Sequence, residues 1–343
     1  MCRPLPREGR GAGAWELRIA SKDGAHGIAR DSASALIRLV HDDGRVTGSF
    51  RLPLPTPADR HCTPREQLAA AWFLMMAEQQ LGAIPLAGGL AERMLRHASL
   101  NAFAPFGGFD ALCVLDEGLV KLEAVAFAVM ALVNCSRPDL TTARRFGRFI
   151  LGQRLPNGEF IHVRDYPQGR VRADRAPAAT GQALLALAAL YRATHEPHYF
   201  DAVGETFDAL AARAYGVRQR SHWMLLAIDA LDDISPDPQN VEYAAAIAEP
   251  MLAGSRTDGS RETSALAATT LGLLAYLRIA ARASERSRIM TEARVQVTRS
   301  LEALMTLRVP NGMFVRGQAS PEVAAEDLVW AGRAFLGAAS VFG

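Results

Sequence analysis

The hexapeptide LPNGEF at residues 155–160 returns as VPNGMF at 309–314, and each copy follows a run with helical periodicity. RRFGRFILGQR precedes the first and VTRSLEALMTLR the second. An Asn-Gly or Asp-Gly pair after an amphipathic run marks a helix end, because glycine accepts the left-handed conformation that stops the helix. Two more endings have this form: LIRLVHDDGRVTGSF, with Gly44, and MLAGSRTDGSR, with Gly259. Together with Gly158 and Gly312 they are spaced by 114, 101 and 53 residues, so the first two gaps are about twice the third. A unit of roughly fifty residues with two degenerate copies accounts for that spacing. The degenerate endings fall near residue 100, after GLAERMLRHASLNAFAPFGGF, and near 215, after YFDAVGETFDALAARAYG. Six endings at one period predict a repeat architecture in which each unit is one supersecondary element.

Each unit holds a second kind of helix. These runs are predicted at 65–80, 118–135, 177–194, 221–231, 263–281 and 324–342. Beyond the first turn they are apolar on nearly every face and rich in Ala, Leu and Gly, the pattern of a helix buried on all sides. The helices that end in glycine carry charged stripes instead, such as Arg144, Arg145 and Arg148, or Arg294, Arg299 and Glu302. Six buried helices alternating with six amphipathic ones satisfy both patterns as two concentric rings, an all-α fold of about twelve helices.

Six helical hairpins, outer endings like FILGQRLPNGEF and inner starts like APAATGQALLALAALYRATHEPHYFDAV resemble the six-hairpin (α/α)6 toroid superfamily, the six-hairpin glycosidase-like proteins. The resemblance covers residues 29–342. It implies an N-terminal extension at 1–28, a single toroid domain at 29–343, and a carbohydrate-active enzyme: a glycoside hydrolase, or an epimerase or lyase acting on a sugar or uronate. Two other classes stay open, a non-catalytic toroid that binds a glycan or a protein, and a terpene-cyclase-like toroid. The DxDD pattern of such cyclases is absent, since DALDDIS at 229–235 has the wrong spacing. Zinc-dependent toroids need a Cys, His or Asp set that the four cysteines do not supply.

Composition narrows the partners. A net charge of +2 with 22% charged residues argues against a polyanion-binding protein, so no nucleic-acid partner is expected. Cys2, Cys62, Cys113 and Cys135 show no CxxC spacing, which predicts neither a metal site nor a disulfide framework and fits a reducing cytoplasm. The N-terminus lacks an apolar signal-peptide core. The longest apolar runs fall short of the ~20 residues that span a bilayer, so no membrane partner is expected. No cofactor motif is present, and no feature sets the oligomeric state. The expected partner is a carbohydrate or another small polar substrate.

In toroids of this kind the loops from outer to inner helices gather at one mouth of the ring, and the resemblance places the active site there. Backbone N–H groups at the inner helix starts add a preference for anionic groups. Polar residues concentrate at those starts. The catalytic candidates are Asp116, Glu262, Glu326 and Asp327, because glycosidic chemistry needs one protonated and one ionised carboxyl group. The substrate-binding candidates are Arg60, His61, Lys121, Glu123, Asp174, Arg175, His222, Trp223, Arg261 and Trp330. Each has a structural reading beside the functional one. Acidic residues complement a helix N-terminus, Glu117 and Lys121 suit an i,i+4 pair, and His61 and His222 suit structural roles. Trp223 and Trp330 are placed either to stack on a sugar or to pack in the core. Glu123 lies two turns deeper than Asp116 on the same face, where a carboxylate is either paired or functional.

Overall fold

The computed structural model describes residues 21–52, 56–57, 62–84, 89–107, 110–257 and 262–342. Arg60, His61, Arg261 and Gly259 lie outside the described residues. Among those described, twelve α-helices alternate between two rings. The outer helices are α1 (Lys22–Ile37), α3 (Leu90–Ala102), α5 (Leu140–Leu151), α7 (Pro197–Ala211), α9 (Pro238–Thr257) and α11 (Arg288–Thr306). The inner ones are α2 (Pro64–Leu81), α4 (Leu122–Asn134), α6 (Pro177–Thr194), α8 (His222–Asp232), α10 (Thr263–Arg282) and α12 (Ala325–Phe342). Each inner helix packs on the next, and α12 packs on α2, so the ring closes. Helix α1 starts at Lys22, capped by Ser21, and so crosses the boundary expected between residues 28 and 29.

Helix α10 corrects one expectation. By length and composition it is apolar enough to cross a membrane, yet it stands in the inner ring between α8 and α12.

The loops running from outer to inner helices carry the strands. β1 (Ser49–Arg51), β2 (Thr56–Pro57) and β7 (Glu322–Ala324) form one antiparallel sheet in the order β2-β1-β7. β3 (Phe103–Pro105), β4 (Leu112–Asp116), β5 (Leu119–Lys121) and β6 (Val163–Asp165) form another in that order. Both are short ribbons at the mouth end, not layers between helices. One of them shortens a predicted helix: residues 119–121 belong to β5 and Gly118 to the turn before it, not to α4. Glu117 and Gly118 both have positive φ (50° and 77°), the two-residue turn that a tight hairpin requires.

The repeated glycine does more than was expected of it. The outer helices end six or seven residues earlier, at Ile37, Leu151 and Thr306. Beyond each lies the same small hairpin, closed by the bridges Val40–Val46, Arg154–Phe160 and Arg308–Phe314. Its glycine has positive φ in every copy: 87° at Gly44, 82° at Gly158 and 76° at Gly312. Each glycine also presses on the outer helix of the next unit. A Cβ there would meet the Arg93 carbonyl oxygen at 2.4 Å, Ala209 Cβ at 2.9 Å and the Asp31 carbonyl oxygen at 2.7 Å, respectively. Four residues further on, each hairpin offers a carbonyl to the first residue of the preceding inner helix. Ala325 N–H donates to Gly48 at 2.9 Å, Leu122 N–H to His162 at 2.9 Å, and Thr263 N–H to Arg316 at 2.9 Å. The motif is a clasp between three successive units, and the copy at Gly312 closes the ring onto α1. Gly312→Val therefore combines a strained φ with a collision against backbone, and we expect a loss of at least about 2 kcal/mol in chemical denaturation. A loss no larger than that of Gly204→Val, where nothing lies within 4 Å of an added Cβ, would contradict the clasp.

Candidate functional site at the mouth of the ring

Helix α2 starts at a capping box. The Thr63 hydroxyl accepts from Glu66 N–H, and the Glu66 carboxylate accepts from Thr63 N–H at 2.9 Å. That duty fixes Glu66 and leaves the neighbouring Arg65 to project across the mouth. Its guanidinium reaches Glu326 on α12 at 2.8 Å and Glu123 on α4 at 3.6 Å, with Glu66 at 3.8 Å. Three adjacent inner helices are thus tied through one arginine. Burial works against the charge on Arg65, but Glu326 and Glu123 outweigh it and raise its pKa.

The two carboxyl groups flanking Arg65 differ. Glu326 Oε1 accepts from Arg65 and from Trp330 Nε1 at 3.1 Å, one turn further along α12. Glu123 takes up a proton more readily than an ordinary carboxylate. Burial is the main cause; Arg65 and Lys121 oppose the rise, and Glu326 and Asp116 add to it. Two carboxyl groups in unequal environments around one cation is an arrangement suited to acid–base chemistry.

Three further mouth carboxylates, Asp116, Glu322 and Asp327, stand beside cations. Lys121 Nζ holds Asp116 at 2.6 Å, which replaces the expected Glu117–Lys121 pair. Arg316 holds Glu322 at 3.1 Å and stands 3.6 Å from Asp327. Asp327 is 2% exposed, and its Oδ2 has no hydrogen-bond partner. Burial pushes its pKa up to about 7; Glu326 and Glu322 add to the rise and Arg316 opposes it.

Below Glu326 lies an aromatic layer. Trp330, Trp223 and Phe127 meet at ring-centroid distances of 5.5, 5.7 and 6.2 Å, and Trp72 joins them through Phe127 at 5.8 Å. Trp223 and Trp330 are buried, at 3% and 8% exposure, so they form a floor and not free stacking surfaces.

Other candidates lie outside this cluster. Asp174 and Arg175 are exposed at the rim, paired with Arg172 at 3.3 Å and Glu159 at 3.5 Å. Glu262 occupies the N-cap of α10 on the surface, bridged to Gly317. His222 lines a small cavity between α8 and α10 with Arg220, Ser255 and Thr269. His222 is half-buried; burial, with Arg333 adding, lowers its pKa to about 3, so the ring is neutral. The aspartates of DALDDIS sit at the far end of the ring, where Asp229 pairs with Arg278 and Arg282, Asp232 with Arg282, and Asp233 with Arg192.

Arg65 is among the polar residues at the first inner helix start in the sequence, but following directly on a capping signal it reads as helix-start charge and takes no assigned role. Two functional-looking residues escaped the sequence reading. Arg333 is a lone cation inside the apolar run WAGRAFLGAASVF, which was a legible anomaly. His162 sits in the third hairpin, accepting from Ala176 N–H at 3.0 Å through Nδ1 and facing the Thr180 hydroxyl at 3.2 Å through Nε2. Among the described residues no group of three His, Cys, Asp or Glu side chains is placed to hold a metal ion.

No protein-family model and no curated protein matches the sequence. Solved structures do match the fold. A D-mannose isomerase superposes with a TM-score of 0.73 at 13% identity, covering 94% of this chain and 98% of the other. Cellobiose 2-epimerase from Spirochaeta thermophila gives 0.71 at 13%, covering 93% and 98%. An unsaturated glucuronyl hydrolase specific for heparin gives 0.64 at 11%, covering 96% and 98%. At these identities the likeness establishes the (α/α)6 toroid fold.

Proposed function

We propose that the chain is a carbohydrate-active enzyme whose acid–base pair is Glu123 and Glu326, working on a reducing sugar held at the mouth. The observation that carries this reading is the Arg65 guanidinium between two unequal carboxyl groups. Moving a proton at the carbon beside a carbonyl needs a base, an acid, and a cation for the oxygen that gains charge in the enolate. Glu326 removes the proton, Arg65 holds the oxygen, and Glu123 returns a proton to carbon. Epimerisation and isomerisation share these steps, and the names of two fold neighbours, an isomerase and an epimerase, support this reading over hydrolysis. Glycoside hydrolysis by the same two groups is the second enzymatic reading. The cations beside Asp116, Glu123, Glu322, Glu326 and Asp327 favour a third, non-catalytic binding of a glycan. Buried, unpaired thiols at Cys113 and Cys135 support a reducing, cytoplasmic setting.

A panel of reducing mono- and disaccharides incubated in D2O separates these readings. Deuterium arriving at carbon 2 of a new epimer, or at carbon 1 of a new ketose, supports the proposal, and shorter sugars without exchange support hydrolysis. Glu326→Gln should cut turnover at least ~100-fold while the melting transition is kept. Full activity in both Glu326→Gln and Glu123→Gln would refute the assignment, and saturable binding without turnover would leave the non-catalytic reading.

A further inference from the structure

Arg333 lies two turns beyond Glu326 on α12, under the aromatic floor, and is 5% exposed. Its guanidinium carbon sits 4.1 Å from the ring centre of Trp72, 5.2 Å from that of Trp330 and 5.5 Å from that of Trp223. Stacking of this kind engages the faces of the guanidinium and offsets part of its desolvation. The N–H groups around its edge need acceptors of their own, and among the described residues none accepts from Nε or Nη1. A buried donor without a partner is costly, more so on a charged group. Burial, with Arg278 adding, lowers the Arg333 pKa to about 9, which leaves it charged at neutral pH.

Arg333 borders a cavity of about 430 Å³ at the end of the ring where the inner helices finish, opposite the mouth. Leu185, Leu226, Leu271 and Leu336 make apolar walls. The charges near its rim are matched: Arg192, Arg278 and Arg282 are engaged by Asp229, Asp232 and Asp233. Among the described residues that line the cavity, the one cation left over is Arg333.

We propose that this far-end cavity is a binding site for a small monocarboxylate with a short apolar body. The carboxylate accepts from the guanidinium edge of Arg333, and the apolar body lies against the leucine walls. A single unmatched positive charge suits a monoanion. A dianion such as phosphate would bring a second charge past Asp229 and Asp233, with no apolar part to fill the walls. The site is separated from the mouth by the tryptophan layer, so it does not depend on the acid–base reading.

Thermal melts of the full chain at pH 7.5 and constant ionic strength test this, with butyrate, phosphate or chloride as the variable anion. Butyrate should raise Tm saturably, by about 3–4 °C at a hundredfold excess over Kd, with little response to phosphate. Arg333→Met should remove the response. Should that variant fail to fold, Ser340→Trp narrows the cavity at its rim while keeping Arg333, and should weaken the butyrate response at least tenfold. No rise over chloride, an equal rise with phosphate, or an undiminished rise in the variant that folds would each overturn the proposal.

Discussion

Arg65→Met is expected to destabilise the protein by about 2–3 kcal/mol at neutral pH, and to do so in a pH-dependent way. Breaking a buried ion pair costs roughly 3–5 kcal/mol because it strands the partner charge. Here the side chains keep 21–28% of their exposure, which places the effect at or just below the bottom of that range. Without the guanidinium, the repulsion between Glu326 and Glu123 is less compensated, although Lys121 still acts on Glu123. The pKa of Glu123 is already raised by burial despite Arg65, so loss of Arg65 raises it further. A carboxyl group whose folded pKa exceeds its unfolded value binds its proton more tightly in the folded state, and stability falls as pH rises between those two values. The deficit of Arg65→Met should therefore be smallest in acid and grow towards neutral pH. Urea denaturation from pH 4.5 to 8 measures it, and a deficit constant with pH would show that Glu123 does not titrate in the fold. Arg65→Lys keeps the charge but not the planar fork that spans two carboxylates. It should recover most of the stability and little of the turnover.

The rings were legible because burial imprints a pattern. The run at 177–194 is apolar all round and becomes α6 with the same limits, while the striped run before LPNGEF becomes α5. The strands were not legible. β4 and β5 are short, and their turn is Glu117-Gly118, a pairing that reads equally as an acidic helix start. The meaning of the repeated glycine was half legible. Its positive φ follows from the local sequence, but its contact with the next outer helix joins residues such as Gly312 and Asp31, which nothing in sequence order connects. The same limit applies at the mouth. Sequence placed Glu326, Glu123 and Asp116 near inner helix starts, yet which cation each meets depends on side-chain directions on three different helices. Adjacent residues show this best: Glu326 turns towards Arg65 and Trp330, and Asp327 towards Arg316.

Asp327→Asn is expected to be more stable than the wild type above pH 7 and no more stable in acid. The carboxyl group is buried, stands 3.6 Å from Arg316 and leaves Oδ2 without a hydrogen bond, so its charged form is poorly supported. Its pKa rises from 3.8 to about 7. The folded state thus holds a proton at pH values where the unfolded chain has released it. Stability is greatest below pH ~4, declines as pH rises towards 7, and by then the loss is of order 4 kcal/mol, three units at about 1.4 each. Asparagine cannot ionise, so the variant lacks this slope. Arg316 keeps Glu322 as a partner at 3.1 Å, which limits the cost of losing the carboxylate. We expect a net gain of about 1–3 kcal/mol at pH 8, read from paired denaturation curves at pH 5 and 8. An equal loss at both pH values would mean that Asp327 does not titrate near neutrality and only packs. Activity supplies the second reading of the same variant. Keeping this charge at neutral pH does nothing for folding, so if the group serves turnover, the wild-type pH–rate profile should bend near 7. Asp327→Asn should then remove the bend, whereas a purely structural role would leave the profile in place.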